Sequence, residues 1–259
     1  MENVFRWNLI NNTAQYLSAD FENQNFEFYA KKLSGQKEMQ PRWKRVLNTT
    51  SGALGEAIGQ VYVEKYFPAA AKEKMIVLVD NLKIALSKRI DELQWMTEPT
   101  KKAAKEKLAA FGVKVGYPDV WRDYSGLKVG RESFVRNVLA SNEFGFRYNM
   151  DKVGKPVDKK EWGMTPQTVN AYYSPTRNEI VFPAAILQPP FFNLDADDAV
   201  NYGAIGVVIG HEMSHGFDDQ GSQYDKDGNL KNWWAEEDVE KYKEQTQKLV
   251  DHFDGFVAV

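Results

Sequence analysis

Apolar residues recur at helical spacing through much of the first half of the chain. Met75, Val79, Leu82, Leu86, Ile90 and Leu93 follow one another at steps of four, three, four, four and three. That rhythm places them on one face of a helix spanning roughly residues 70–95. Thr97-Glu98-Pro99-Thr100 then supplies a stop and a fresh helix start, since proline is tolerated in a first turn where its missing N–H has no partner to lose. The next stretch, KKAAKEKLAAF, is rich in helix formers. Residues 44–66 also read as helical, although Gly52, Gly55 and Gly59 each cost about 1 kcal/mol there relative to alanine.

The pattern changes between about 112 and 165. Gly116-Tyr117-Pro118-Asp119 and Tyr124-Ser125-Gly126 are turn chemistry, and a helix is expected near 131–146. Val169-Asn170-Ala171-Tyr172-Tyr173 and Glu179-Ile180-Val181-Phe182 flank the turn sequence Ser174-Pro175-Thr176-Arg177-Asn178, and together they read as a β-hairpin. Asp195, Asp197 and Asp198 precede a long apolar run, where acids favour a helix N-terminus. The helix they introduce is expected to run from Ala199 to about Gly216. Gly203, Gly206 and Gly210 fall on one face of it, which implies a close neighbour on that face. A charged amphipathic helix is expected from Trp233 to about Phe253. The fold class is therefore mainly α (α+β), largely helical with a small hairpin.

Composition narrows the function more than the fold. With 259 residues the chain can form one large domain or two small ones. The net charge of −3 provides no global basic field for nucleic acid or acidic membranes. Lys101, Lys102, Lys105 and Lys107 read as a solvated helix face, so no nucleic-acid partner is expected. Cysteine is absent, which excludes disulfides, thiolate metal ligands and cysteine nucleophiles. The N-terminus lacks the basic start and apolar block of a signal peptide, and no uncharged apolar run is long enough for a membrane span. The compartment stays open.

Candidate chemistry concentrates in VVIGHEMSHGFDDQG at 207–221. His211 and His215, four apart on a helix, project from one face, so both imidazoles can reach one tetrahedral Zn²⁺. Glu212 lies off that ligand direction and can take a proton from the attacking water and pass it to a leaving amine. The chain has only three histidines, so chance placement of two around a glutamate is improbable. The preceding GAIGVVIG is apolar, and a buried helix accommodates two histidines and an acid poorly unless they have a partner. Asp218 is placed either to accept the second imidazole N–H or simply as an acid in the loop after the helix; the first reading is favoured.

A third ligand is harder to find. Glu236 and Glu237 lie at +21 and +22 from His215, close to a thermolysin-like spacing. They fall in the first turn of a new helix, however, where the helix dipole accounts for them. His252 lies on the polar terminal helix and reads as a solvated side chain. Asp225-Lys226-Asp227-Gly228-Asn229 has part of a calcium-loop pattern but lacks its further acids, and a turn is the favoured reading.

VNAYYSPTRNEIVFPAAILQPPFF at 169–192, NYGAIGVVIGHEMSHGFDDQG at 201–221 and DGNLKNWW at 227–234 together resemble the neprilysin family of zinc endopeptidases. Weaker matches in RWKRVLNTTSGALGEAIGQVYVEKYF, LQWMTEPTKKAAKEK and GYPD carry the resemblance over nearly the whole chain. It implies a zincin-like catalytic lobe. Residues 1–110 would be a helical region linking to an outer lobe, and 111–259 an incomplete N-terminal portion of the catalytic domain. It implies one zinc ion held by His211 and His215, with Glu212 as general base and Asp218 supporting a ligand histidine. Asn170 and Ala171 match the strand that hydrogen-bonds substrate backbone. Ile186, Phe191, Val207 and Val208 match the pocket for an apolar side chain just after the cleaved bond. The implied activity is hydrolysis of short peptides on the amino side of hydrophobic residues. The family's third ligand is a downstream glutamate, here expected beyond Val259, so the 259-residue chain itself is expected to be weakly active or inactive. A C-terminal segment or a dimer partner is then expected over the apolar surface beside HEMSH. The competing reading is a non-catalytic peptide-binding module built on the 169–173 strand and the apolar pocket.

Overall fold

A computed structural model describes residues 1–257 of the chain. It contains two compact units, each assembled from two stretches of sequence: residues 1–58 with 120–158, and residues 59–119 with 159–257. Residue 110, the boundary taken from the sequence, lies inside the second unit.

The first unit is helical, with α1 (Glu2–Thr13), α2 (Ala19–Asn25), a π-type turn at Phe26–Leu33 and α3 (Arg42–Ala53). Helix α4 (Gly55–Tyr66) begins in this unit and continues into the second. The 44–66 segment is thus two helices, broken at Leu54. Helices α5 (Ala69–Glu92) and α6 (Glu98–Ala109) belong to the second unit, and α7 (Phe134–Met150) returns to the first. The helix expected near 131–146 is α7, started by Ser133, whose hydroxyl accepts from the Arg136 N–H.

The second unit contains three strands, β1 (Gly112–Gly116), β2 (Tyr172–Ser174) and β3 (Glu179–Pro183), in the order β1-β3-β2. The expected hairpin is β2 antiparallel to β3, with Tyr173 opposite Ile180. Strand β1, which was not expected, pairs in parallel with β3 and sets Val113 opposite Ile180. Central β3 has no exposed face: Ile180, Val181 and Phe182 are fully enclosed. Helix α5 contributes Met75, Leu78, Val79 and Ile90 to the same core. This is the apolar face of the sequence reading, with Leu82, Leu86 and Leu93 only partly buried at its margin.

The long helix expected over 199–216 is instead two, α8 (Asp198–Gly203) and α9 (Ile205–Ser214), separated at Ala204 with φ −108° and ψ −88°. The glycine face is also corrected. Among the described residues nothing would meet a Cβ on Gly203 or Gly210 within 4 Å, and Gly206 has only ordinary contacts. The last helix, α10 (Glu236–Asp254), begins three residues after Trp233, and its first turn holds Glu236, Glu237 and Asp238. Buried Asp238 docks this start on that of α6, accepting from the Thr97 N–H at 2.9 Å and the Thr97 hydroxyl at 2.5 Å.

The lysine face on α6 is corrected too. Lys102 is exposed, but Lys107 is only 1% exposed. No described helix is long and apolar enough to cross a membrane.

Candidate metal centre

Helix α9 places its residues by simple helical geometry. Ile205, Ile209 and Met213 recur at a step of four and point into the core. The opposite side carries exposed Val207, His211 and Ser214. Glu212 follows the buried side and is 6% exposed. One turn of helix therefore presents two imidazoles outward and tucks a carboxyl beneath them.

The imidazoles converge. His211 Nε2 and His215 Nε2 are 3.1 Å apart, with the rings nearly perpendicular at 81°. Two nitrogens bound to one tetrahedral zinc at about 2.0–2.1 Å lie about 3.3 Å from each other, so the pair already has nearly the separation the ion requires. His215 Nδ1 is 2.9 Å from Asp218 Oδ2, which fixes that ring and leaves Nε2 for a metal. Asp218 is held in turn: its Oδ1 accepts from the Gly221 N–H at 2.7 Å and the Gln220 N–H at 3.0 Å. The donor set and its orientation fit zinc.

The loop that carries Asp218 depends on two glycines. Gly216 lets the chain turn beneath Phe111, whose Cζ would lie 2.5 Å from an added Cβ. At Gly221 an added Cβ would stand 2.1 Å from the His215 carbonyl oxygen, so this backbone crosses directly behind the second histidine.

Burial raises the pKa of Glu212, while His211, His215 and a hydrogen bond from the Tyr173 backbone N–H pull it down. A carboxyl whose pKa is raised toward the working pH suits proton transfer. Tyr173 belongs to β2, an edge strand, so the sheet edge and the acid are tied by one backbone amide. The sequence motif gave no sign of this contact.

The remaining residues singled out in the sequence fall in several places. Asn170 and Ala171 lie just before β2, the first exposed and the second buried. Ile186 is in the core cluster and Val208 packs against it, whereas Val207 is 66% and Phe191 37% exposed. His252 is exposed on α10 beside the rings of Phe253 and Phe256. Asp225 closes its own turn, its Oδ1 accepting from the Asp227 and Asn229 N–H groups, each at 3.0 Å. Among the described residues no group of three His, Cys, Asp or Glu side chains is placed to hold a metal.

Two models described as peptidase family M13 match residues 1–118 and 170–259. The chain belongs to peptidase family M13. The neprilysin-family resemblance of its motifs is thereby borne out, as is the mainly helical catalytic lobe. Among M13 relatives, endothelin-converting enzyme 1 of Bos taurus is 38% identical over 99% of this chain and 35% of its own length. Neprilysin-11 of Caenorhabditis elegans is 38% identical over the whole chain and 31% of its own length. Zinc metalloprotease ZMP1 of Mycobacterium tuberculosis, solved with an inhibitor, superposes with a TM-score of 0.91 at 47% identity, covering 98% of this chain and 38% of that one. PEPO from Lactobacillus rhamnosis HN001 gives 0.89 at 33% identity, covering 96% and 40%. The chain thus spans about a third of the length of the curated relatives it matches.

Proposed function

We propose that the protein is a zinc-dependent endopeptidase of the neprilysin type that hydrolyses short peptides on the amino side of hydrophobic residues. The observation that carries this reading is the pair of imidazole nitrogens 3.1 Å apart, with a buried carboxyl on the same helical turn. His211 and His215 would hold the ion, and Asp218 keeps the second ring in the tautomer that frees Nε2. When bound, zinc supplies a Lewis acid that acidifies water and polarises the scissile carbonyl. Glu212 accepts a proton from the attacking water on its carboxylate and returns it to the departing amine nitrogen. The described residues offer no third donor, and the neprilysin-type reading would take a glutamate in that place.

Substrate backbone would lie along the chain entering β2, at Asn170 and Ala171. Among the described residues no further strand lies beside this edge, and an extended peptide can add there through main-chain hydrogen bonds. Val207 and Phe191, both exposed, would join Val208 and Ile186 in receiving the apolar side chain after the cleaved bond. Burying such a side chain contributes about 1.5–3 kcal/mol, enough for a marked preference over polar residues.

The test is Glu212→Gln in the full-length protein, with hydrolysis of a short peptide and zinc content measured together. The substitution keeps the shape and removes the base. Cleavage is expected to fall by at least about a hundredfold while zinc stays bound. Peptide binding that survives chelation, with no cleavage by the wild type, would instead establish the non-catalytic module.

A further inference from the structure

Lys107 is among the largest fully buried side chains of the second unit, although it lies in a run of helix-forming residues with charged neighbours. Its ammonium has two backbone acceptors, the carbonyls of Gly221 at 2.6 Å and Tyr224 at 2.7 Å. The rings of Trp233 and Tyr173 lie 5.3 and 5.8 Å from it, close enough for cation–π attraction. Both carbonyls belong to the loop that follows the HEMSH helix. The same Gly221 donates its N–H to Asp218, whose other oxygen meets His215 Nδ1. The Gly221 carbonyl also accepts from Trp233 Nε1 at 3.1 Å.

We infer that Lys107 is a positioning residue for the metal centre: by clamping the Gly221–Tyr224 backbone it holds Asp218 against His215 and so sets the orientation of one zinc-binding imidazole. This rests on the zinc reading above. A buried cation is costly unless its donors are used, and here they are spent on one loop. That loop is short of regular structure, with a three-residue 3₁₀ turn at Gly221–Gln223 and a single antiparallel bridge from Tyr224 to Leu230. Its backbone crosses too close behind His215 for Gly221 to bear a side chain. A small shift there moves the Asp218 carboxylate directly, because the carboxylate takes two of its three hydrogen bonds from the loop's own amides.

The experiment is a double-mutant cycle on zinc affinity in the full-length protein, using chelator competition on Lys107→Met, Asp218→Asn and the pair. Groups supporting a ligand histidine typically change metal affinity by about 10–100-fold, so each single change is expected to weaken zinc binding at least about tenfold. The double variant is expected to bind no more weakly than Asp218→Asn alone, since Lys107 acts through that carboxylate. A merely structural lysine predicts losses that multiply. Wild-type affinity in Lys107→Met, or multiplying losses, overturns the inference. If Lys107→Met does not fold, Trp233→Phe removes the other side-chain donor to the Gly221 carbonyl and decides instead. Its smaller loss of zinc affinity must vanish in the Asp218→Asn background, and any other result counts against the clamp. A wild type that holds no zinc overturns the metal reading itself, and this inference with it.

Discussion

Replacing Asn178 tests how the β2–β3 turn is fastened beside the metal helix. Asn178 is 1% exposed and has φ +48°, in the left-handed region that asparagine tolerates and most residues avoid. Its Nδ2 donates to the carbonyls of Lys107 at 3.2 Å and Lys226 at 3.0 Å, and its Oδ1 accepts from the Tyr173 hydroxyl at 3.0 Å. The Lys107 carbonyl keeps a second partner, the Ala110 N–H, so truncation strands two groups: the Lys226 carbonyl and the Tyr173 hydroxyl. Both bonds are part-buried, and each group left without its partner costs about 1–1.5 kcal/mol, giving roughly 2–3 kcal/mol for the side chain. Asn178→Gly keeps the backbone conformation but gives the unfolded chain more freedom, for a total near 3 kcal/mol. Asn178→Ala adds about 1–2 kcal/mol of left-handed strain, for a total near 4 kcal/mol. Urea unfolding followed by tryptophan fluorescence measures both, with Trp233 and Trp234 as reporters in the same unit. Equal losses, or alanine more stable than glycine, refute the strain argument. Losses below about 0.5 kcal/mol in both refute the hydrogen-bond argument.

Three further outcomes follow from the same geometry. Gly221→Ala forces the backbone off the His215 carbonyl and is expected to weaken zinc binding by at least about tenfold, read by chelator competition. Removing zinc from the full-length protein is expected to lower its melting temperature, and His211→Ala should abolish the difference between loaded and chelated samples, since an ion stabilises only the state that binds it. Burial alone would raise the pKa of Asp238, but hydrogen bonds from Thr100 and Thr97 hold it below the ordinary carboxylate value. Its stabilising contribution is therefore complete above pH 3.8 and lost as pH falls through the folded-state value. The stability gap between wild type and Asp238→Asn should shrink with acidification over that range, followed by urea unfolding at stepped pH.

What could be read in the sequence was what local spacing determines. The face of α5 and the pairing of His211 with His215 both follow from 3.6 residues per turn, and both stand in the fold. The hairpin was legible because its strands are joined by one short turn. Strand β1 was not, since five residues that begin and end with glycine acquire meaning only by pairing with a strand more than sixty residues later. The break at Ala204 escaped as well: an apolar run with three glycines reads equally as one helix or two, and packing chose two.

Lys107 is the instructive failure, because local spacing did contain its signal. Thr100, Ala104, Leu108 and Phe111 form the buried side of the α6 segment at steps of four, four and three. Lys107 falls one turn beyond Ala104 on that same side, so periodicity alone put it in the core, and only residue type argued for solvent. Type prevailed in the sequence reading because a buried lysine is rare without partners. Its partners are carbonyls 114 and 117 residues away, in a loop with no pattern to announce them. A charged residue on an apolar stripe therefore asks which distant backbone it serves. Here that backbone is the loop that aims Asp218 at His215.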